Sequence, residues 1–209
     1  MTIKETESKI GTLSSPSKMP CYSFSISAKL CITGGKLRNV KGSICSKCYA
    51  LKGRYVFPNV QASLAKRFAG MSDPDWIDKM VFMIGKREKS GVFRWHDSGD
   101  IQSVAHLAAI VEIAKRLPNI LFWLPTREFS FVSDFMESNS IPANLTIRLS
   151  ALMFDGKPPT AIAKRLGLVT SGASTGDDFN CVSSKQGGKC LDCRACWDKS
   201  ISNINYKQH

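Results

Sequence analysis

Eight cysteines divide into two groups: Cys21, Cys31, Cys45 and Cys48 near one end, and Cys181, Cys190, Cys193 and Cys196 near the other. The stretch "KCLDCRACW" places a thiol at every third position. A tetrahedral zinc site usually takes two pairs of ligands from two short knuckles. Three cysteines in a C-x2-C-x2-C run suit an iron–sulfur cubane better, because a tight loop sets three sulfurs around one cluster and a remote cysteine supplies the fourth. The spacing points to a [4Fe–4S] cluster on Cys190, Cys193 and Cys196, with Cys181 as the remote ligand. Zinc is the alternative.

In the first group Cys45 and Cys48 form one C-x2-C, and Cys31 completes three. Cys21 precedes a predicted strand over residues 22–28, and Cys31 follows it. Strand rise is about 3.3 Å per residue, so such a strand parts its two ends by roughly 20 Å. Cys21 therefore reads as a small buried hydrophobe outside the metal site. Three protein ligands would leave one iron of a second [4Fe–4S] cluster open. A single zinc held by Cys45, Cys48, Cys193 and Cys196 is another arrangement, which would staple the tail to the body.

Other polar residues sit at predicted strand ends. His96, Asp97 and Asp100 in "RWHDSGD" could act as an acid/base group or contact a ligand. The competing reading is a helix start capped by Ser98 or Asp100. Arg127 and Glu128 could hold a carboxylate or phosphate, or pair with neighbours. His106, inside an amphipathic helical pattern, reads as structural.

These residues need elements to place them. "YSFSISA" alternates as a strand does, and "GVFRW", "NILFWLP", "NLTIRLSA" and "LVTSGAST" read as further strands. Helical patterns lie between them at residues 59–71, 73–89, 101–118, 129–139 and 159–167. Alternation of this kind argues an α/β fold with a parallel sheet. The expectation is an incomplete parallel (β/α) barrel-like sheet of about five to six strands, followed by a C-terminal cysteine-rich cluster-binding tail. Residues 1–20 read as a polar N-terminal arm, 21–175 as the α/β domain and 176–209 as the tail. In such folds ligands lie at the carboxyl ends of the strands. The first cysteine loop, "HDSGD", "TRE", Ser150 and "TSGAST" all fall there.

The net charge is +12, and no Asp or Glu occurs from Ser8 to Ser72, a stretch with eleven Lys and Arg. That distribution fits nucleic acid or a phosphate-bearing ligand bound through residues 8–72. It also fits a solvated basic face, or a surround that offsets an anionic thiolate cluster. The first residues lack the apolar core of a signal peptide, and no apolar run is long enough to span a bilayer. The expectation is a cytoplasmic protein with no membrane partner, and cysteines there point to metal or catalysis more than to disulfides. Iron–sulfur chemistry would imply an electron donor as a partner.

"CSKCYA", after a strand and before a helix, resembles the cluster loop of radical S-adenosylmethionine (SAM) enzymes. The usual C-x3-C-x2-C spacing is here widened between Cys31 and Cys45, and Lys47 stands where that family is usually aromatic. The resemblance implies SAM on the open iron, with Ser98, Gly99 and Asp100 in place of the family's "GGE" and Asp100 at the SAM amino group. It implies a ribose contact at Ser150. A resemblance over most of the chain rests on "MPCYSFSISA", "GSICSKCYALKGRY", "FRWHDSGDIQS", "WLPTREF", "LTIRLSA" and "GGKCLDCRACWD". Together these are similar to the phage-associated gene product 88 proteins. That implies metal binding by Cys31, Cys45, Cys48 and the four later cysteines, and a phage protein in the cytoplasm of an infected or lysogenic host cell. The functions compared are thus a radical-SAM-like enzyme, a metal-stapled nucleic-acid-binding module and an iron–sulfur electron carrier.

Overall fold

The computed structural model describes residues 1–208. Six strands form one sheet: β1 (Ser23–Phe24), β2 (Val92–Trp95), β3 (Leu121–Thr126), β4 (Leu145–Ser150), β5 (Val169–Ser174) and β6 (Asn203–Lys207). They lie in sequential order, and each pairs parallel with the next. The sheet is open, so the fold is α/β with six parallel strands.

Helices fill the crossovers: α2 (Ile32–Leu37), α3 (Pro58–Gly70) and α4 (Trp76–Arg87) between β1 and β2, then α5 (Val104–Arg116), α6 (Phe129–Met136) and α7 (Thr160–Leu166). Strand alternation sorts the sheet into two faces. Phe93, Trp95, Phe122 and Leu124 enter the large core shared with α4, α5 and α6. Val92 and Trp123 point the other way, into a smaller cluster with Cys21, Cys196, Trp197 and Ile204. Among the described residues no helix is long and apolar enough to cross a membrane.

Four local expectations are corrected. Residues 3–10 form a helix, α1 (Ile3–Ile10), and not an extended arm. A Thr2–Glu5 capping box starts it, and Ile10 is buried so close to Gly70 of α3 that a Cβ there would lie 2.5 Å from the Ile10 Cα. The first strand is two residues long, because the chain turns at Ser27 into a 3-10 helix, Ala28–Leu30. Ser103 caps α5, accepting from the His106 amide, and neither Ser98 nor Asp100 does so. The second cysteine group is no terminal tail. It lies in the crossover from β5 to β6, and Asn203–Lys207 pair with Thr170–Ser174 at the edge of the sheet.

Candidate functional site

The carboxyl ends of the strands surround a cavity of about 850 Å³. Its wall carries Cys31, Cys45 and Cys48 from the first cysteine group, and Cys181, Cys190 and Cys196 from the second. His96 to Asp100, Arg127 and Ser150 line it too, so the polar strand-end residues picked out by sequence meet in one place. A second cavity, of about 150 Å³, is lined by all four of Cys181, Cys190, Cys193 and Cys196.

The first cysteine loop is built by small devices. Cys31 immediately precedes α2, and the Thr33 amide and hydroxyl both donate to the Glu128 carboxylate at 2.8 Å. Glu128 thus anchors the loop to the end of β3. Ser43 accepts from the Ser46 amide and starts the turn that carries Cys45. Gly34 stands between two thiols: a Cβ there would lie 3.5 Å from Cys45 Sγ and 3.7 Å from Cys31 Sγ. The absent side chain leaves room beside both sulfurs.

The second group is held to the sheet by Arg148, which has no solvent exposure. Its guanidinium donates to the carbonyl oxygens of Cys196, Thr170, Ile201, Ala195 and Asp198 at 2.7–3.2 Å. Trp197 adds a 2.8 Å bond from Nε1 to the Phe93 carbonyl, and Thr146 donates to the Trp197 carbonyl. Cys21 is buried in the apolar cluster beside Cys196 and lines neither cavity.

Burial raises the thiol pKa values of Cys31, Cys45 and Cys190. It pushes Cys21 and Cys196 up to about 12. Metal binding would therefore have to displace thiol protons. Among the described residues no group of three His, Cys, Asp or Glu side chains is assembled to hold a metal ion. Cys45 and Cys48 line only the larger cavity and Cys193 only the smaller, while Cys196 lines both.

The "HDSGD" turn is hydrogen-bonded throughout except at the His96 ring. His96 has φ +57, unusual for a side-chain-bearing residue, and both ring nitrogens are buried without a partner. Burial, with His106 nearby, drives its pKa well below the ordinary value, so the ring is neutral. Asp97 accepts from Ser23 Oγ and Tyr55 OH, each at 2.7 Å, and its carbonyl accepts from Tyr49 OH. Ser98 Oγ donates to the Ile26 carbonyl at 2.9 Å. Gly99 has φ +85, and a Cβ there would lie 2.9 Å from the Ile26 carbonyl oxygen and still closer to its side chain. Asp100 accepts from the amides of Ile101 and Arg127, and burial raises its pKa to about 6. Arg127 Nε donates to the Ala151 carbonyl, and Ser150 Oγ meets Ser171 Oγ at 3.0 Å.

Sequence reasoning missed Arg94, Arg148, Tyr49 and Tyr55. The two arginines alternate with apolar residues inside strands, where a lone charge aimed at a sheet face was the available signal.

The family model described as gene product 88 matches residues 1–199, and the chain belongs to that family. No curated protein and no solved structure matches it.

Proposed function

We propose that this gene product 88 family member is a two-cluster iron–sulfur enzyme. Cys31, Cys45 and Cys48 would hold a [4Fe–4S] cluster with one open iron, and Cys181, Cys190, Cys193 and Cys196 a second. The observation that carries the reading is the placement of both cysteine groups on one strand-end cavity, with the second group also enclosing a space several times the volume of one water. Gly34 supports it by keeping open the volume beside Cys31 and Cys45.

An open-iron cluster supplies one-electron chemistry to SAM. On the chain's side, Asp100 would face the SAM amino group and Ser150 the ribose, both from the wall that carries the first thiols. The Asp100 carboxylate already takes the amides of Ile101 and Arg127 and a bond from the Thr126 side chain, which fix its orientation in the cavity wall. Neutral His96 and hydrogen-bonded Asp97 line the same cavity as both cysteine groups and are candidates for holding or moving a proton.

Anaerobically purified protein is expected to be brown, with roughly eight irons and matching sulfide per chain. Colourless protein with stoichiometric zinc overturns the reading. SAM should perturb the EPR spectrum of the reduced protein, and less so in Asp100→Asn. A cluster protein with no SAM effect would be an electron carrier.

One observation favours a second reading, nucleic-acid binding. Exposed Tyr49, Val56 and Phe57 interleave in sequence with Lys47, Lys52 and Arg54, of which Lys47, Tyr49 and Arg54 line the cavity, a pattern suited to stacking bases and meeting phosphates. Single-strand binding that weakens steeply with salt would support it.

A further inference from the structure

Two arginines project from the same face of the sheet and differ in how their donors are used. Arg148 is saturated by five carbonyl oxygens. Arg94, on β2, is not. Its guanidinium carbon lies 4.5 Å from the centroid of the Trp123 ring, Nη1 points at the Met19 thioether at 3.1 Å, and Nη2 reaches Tyr49 OH only at 3.5 Å. Its Nε is buried without an acceptor. A thioether, a ring face and a distant phenol are weak partners for a cation with five N–H donors. Burial works against the charge of the partly buried Arg94 and Asp97 nearby works for it, but among the described residues no carboxylate bonds the guanidinium directly, so its desolvation cost is offset only at a distance. A carboxylate or phosphate, taken bidentately, would relieve that cost.

The cavity around it has the charge to match. Seven Lys or Arg side chains line the wall against two carboxylates, Asp97 and Asp100. Asp97 offsets part of that charge near Arg94, while the Asp100 carboxylate is held by two backbone amides, so the cations stay in excess. Among the seven cations, only Lys207 forms an ion pair among the described residues, with Asp177 at 3.5 Å. The volume of about 850 Å³ falls in the range of small-molecule sites.

We propose that the cavity between the two cysteine groups binds a small organic anion through Arg94, with the anionic oxygens on the guanidinium and the rest of the molecule beside Trp123. This assignment does not rest on metal in either cysteine group, since the unused donors and the charge imbalance belong to the protein alone.

Thermal unfolding with orthophosphate or malonate, each titrated at constant ionic strength, tests it. The two probes separate a phosphate preference from a carboxylate preference. Wild-type protein should show a saturable rise of its midpoint with at least one of them, roughly 5–10 °C at a hundredfold excess over the dissociation constant. Arg94→Gln should abolish the rise. Arg94→Lys, which keeps the charge and loses the planar fork, should weaken affinity about tenfold. Arg116→Gln makes the same charge change at an exposed pair with Asp78 and should keep the full rise. No saturable rise in the wild type, or an undiminished one in both Arg94 variants, overturns the proposal. Iron measured on the same samples separates this from cluster chemistry: a variant that keeps its iron and loses the rise supports the anion site, and one that loses iron and keeps the rise overturns it.

Discussion

Arg148 Nε donates to the Cys196 carbonyl oxygen at 3.0 Å, so a side chain in the middle of the sheet grips the backbone of the second cysteine group. Four more carbonyls converge on the same guanidinium, and among the described residues it makes no ion pair. The crossover from β5 to β6 packs only a small apolar cluster around Cys196 and Trp197, so this hub adds to a limited core. Arg148→Met should leave several buried carbonyls without donors and cost on the order of 3 kcal/mol or more. Urea denaturation reads the loss. Limited proteolysis should show new cuts between Cys181 and Trp197. An unchanged midpoint would mean that the crossover is ordered by something else.

The Glu128 anchor makes a more local prediction. Glu128→Gln keeps the shape but weakens the paired bonds from Thr33, and Glu128→Ala removes them. The expected cost is about 1 kcal/mol, as for a lost helix cap. In metal-free protein Cys31 should then alkylate faster, while Cys196, remote from this anchor, should keep its rate. Mass spectrometry of partly alkylated protein distinguishes the two.

Much of this arrangement was legible beforehand. The short apolar run "GVFRW" and the alternating "NLTIRLSA" marked β2 and β4, and the placement of polar groups after each run anticipated a common rim. What sequence could not give were contacts between distant segments. "NINYK" alternates Ile204 and Tyr206 with polar residues, but the cysteine run before it drew it into a tail, and only its pairing with β5 shows an edge strand. Arg94 and Arg148 occupy the same kind of position on the same face, and nothing local says that one finds five carbonyls and the other a thioether. The first helix was hidden by its polar composition, since only Thr6 and Ile10 need be buried to dock it.

Acid sensitivity follows from two opposed groups near "HDSGD". Burial lowers the His106 pKa from 6.5 to about 4. The unfolded chain binds a proton there that the folded one refuses, so this contribution is full above about 6.5 and is lost as pH falls towards 4. His96, also lowered, acts in the same direction. Asp100 does the reverse: its pKa is raised from 3.8 to about 6, so its contribution is full below 3.8 and is lost as pH rises through 6. In metal-free protein between pH 4 and 6, His106→Gln should flatten the dependence of unfolding free energy on pH, by up to about 1.4 kcal/mol per pH unit. Asp100→Asn should steepen it by a similar amount. Denaturant midpoints across this window test both, and equal slopes in all three proteins would refute the assignment.

The two cysteine groups should respond independently to substitution, because each is positioned by different parts of the chain. Cys45→Ala should remove the metal of the first group and leave the second, and Cys193→Ser should do the opposite. Gly34→Ala is the finer probe of the first. Its methyl would lie 3.5 Å from Cys45 Sγ and 2.9 Å from Cys31 Cβ, so the loop must shift to admit it. All thiols remain, yet iron at the first group should fall, while urea stability changes by less than about 1 kcal/mol because Gly34 is partly exposed. Cys21→Ala should retain both sets of iron and cost on the order of 1 kcal/mol of packing in the cluster with Val92 and Trp123. Iron counts on the four variants decide the matter. Loss of the second group's iron from Cys21→Ala would make Cys21 a ligand there, since it lies beside Cys196, and one of the four later cysteines would then be the bystander.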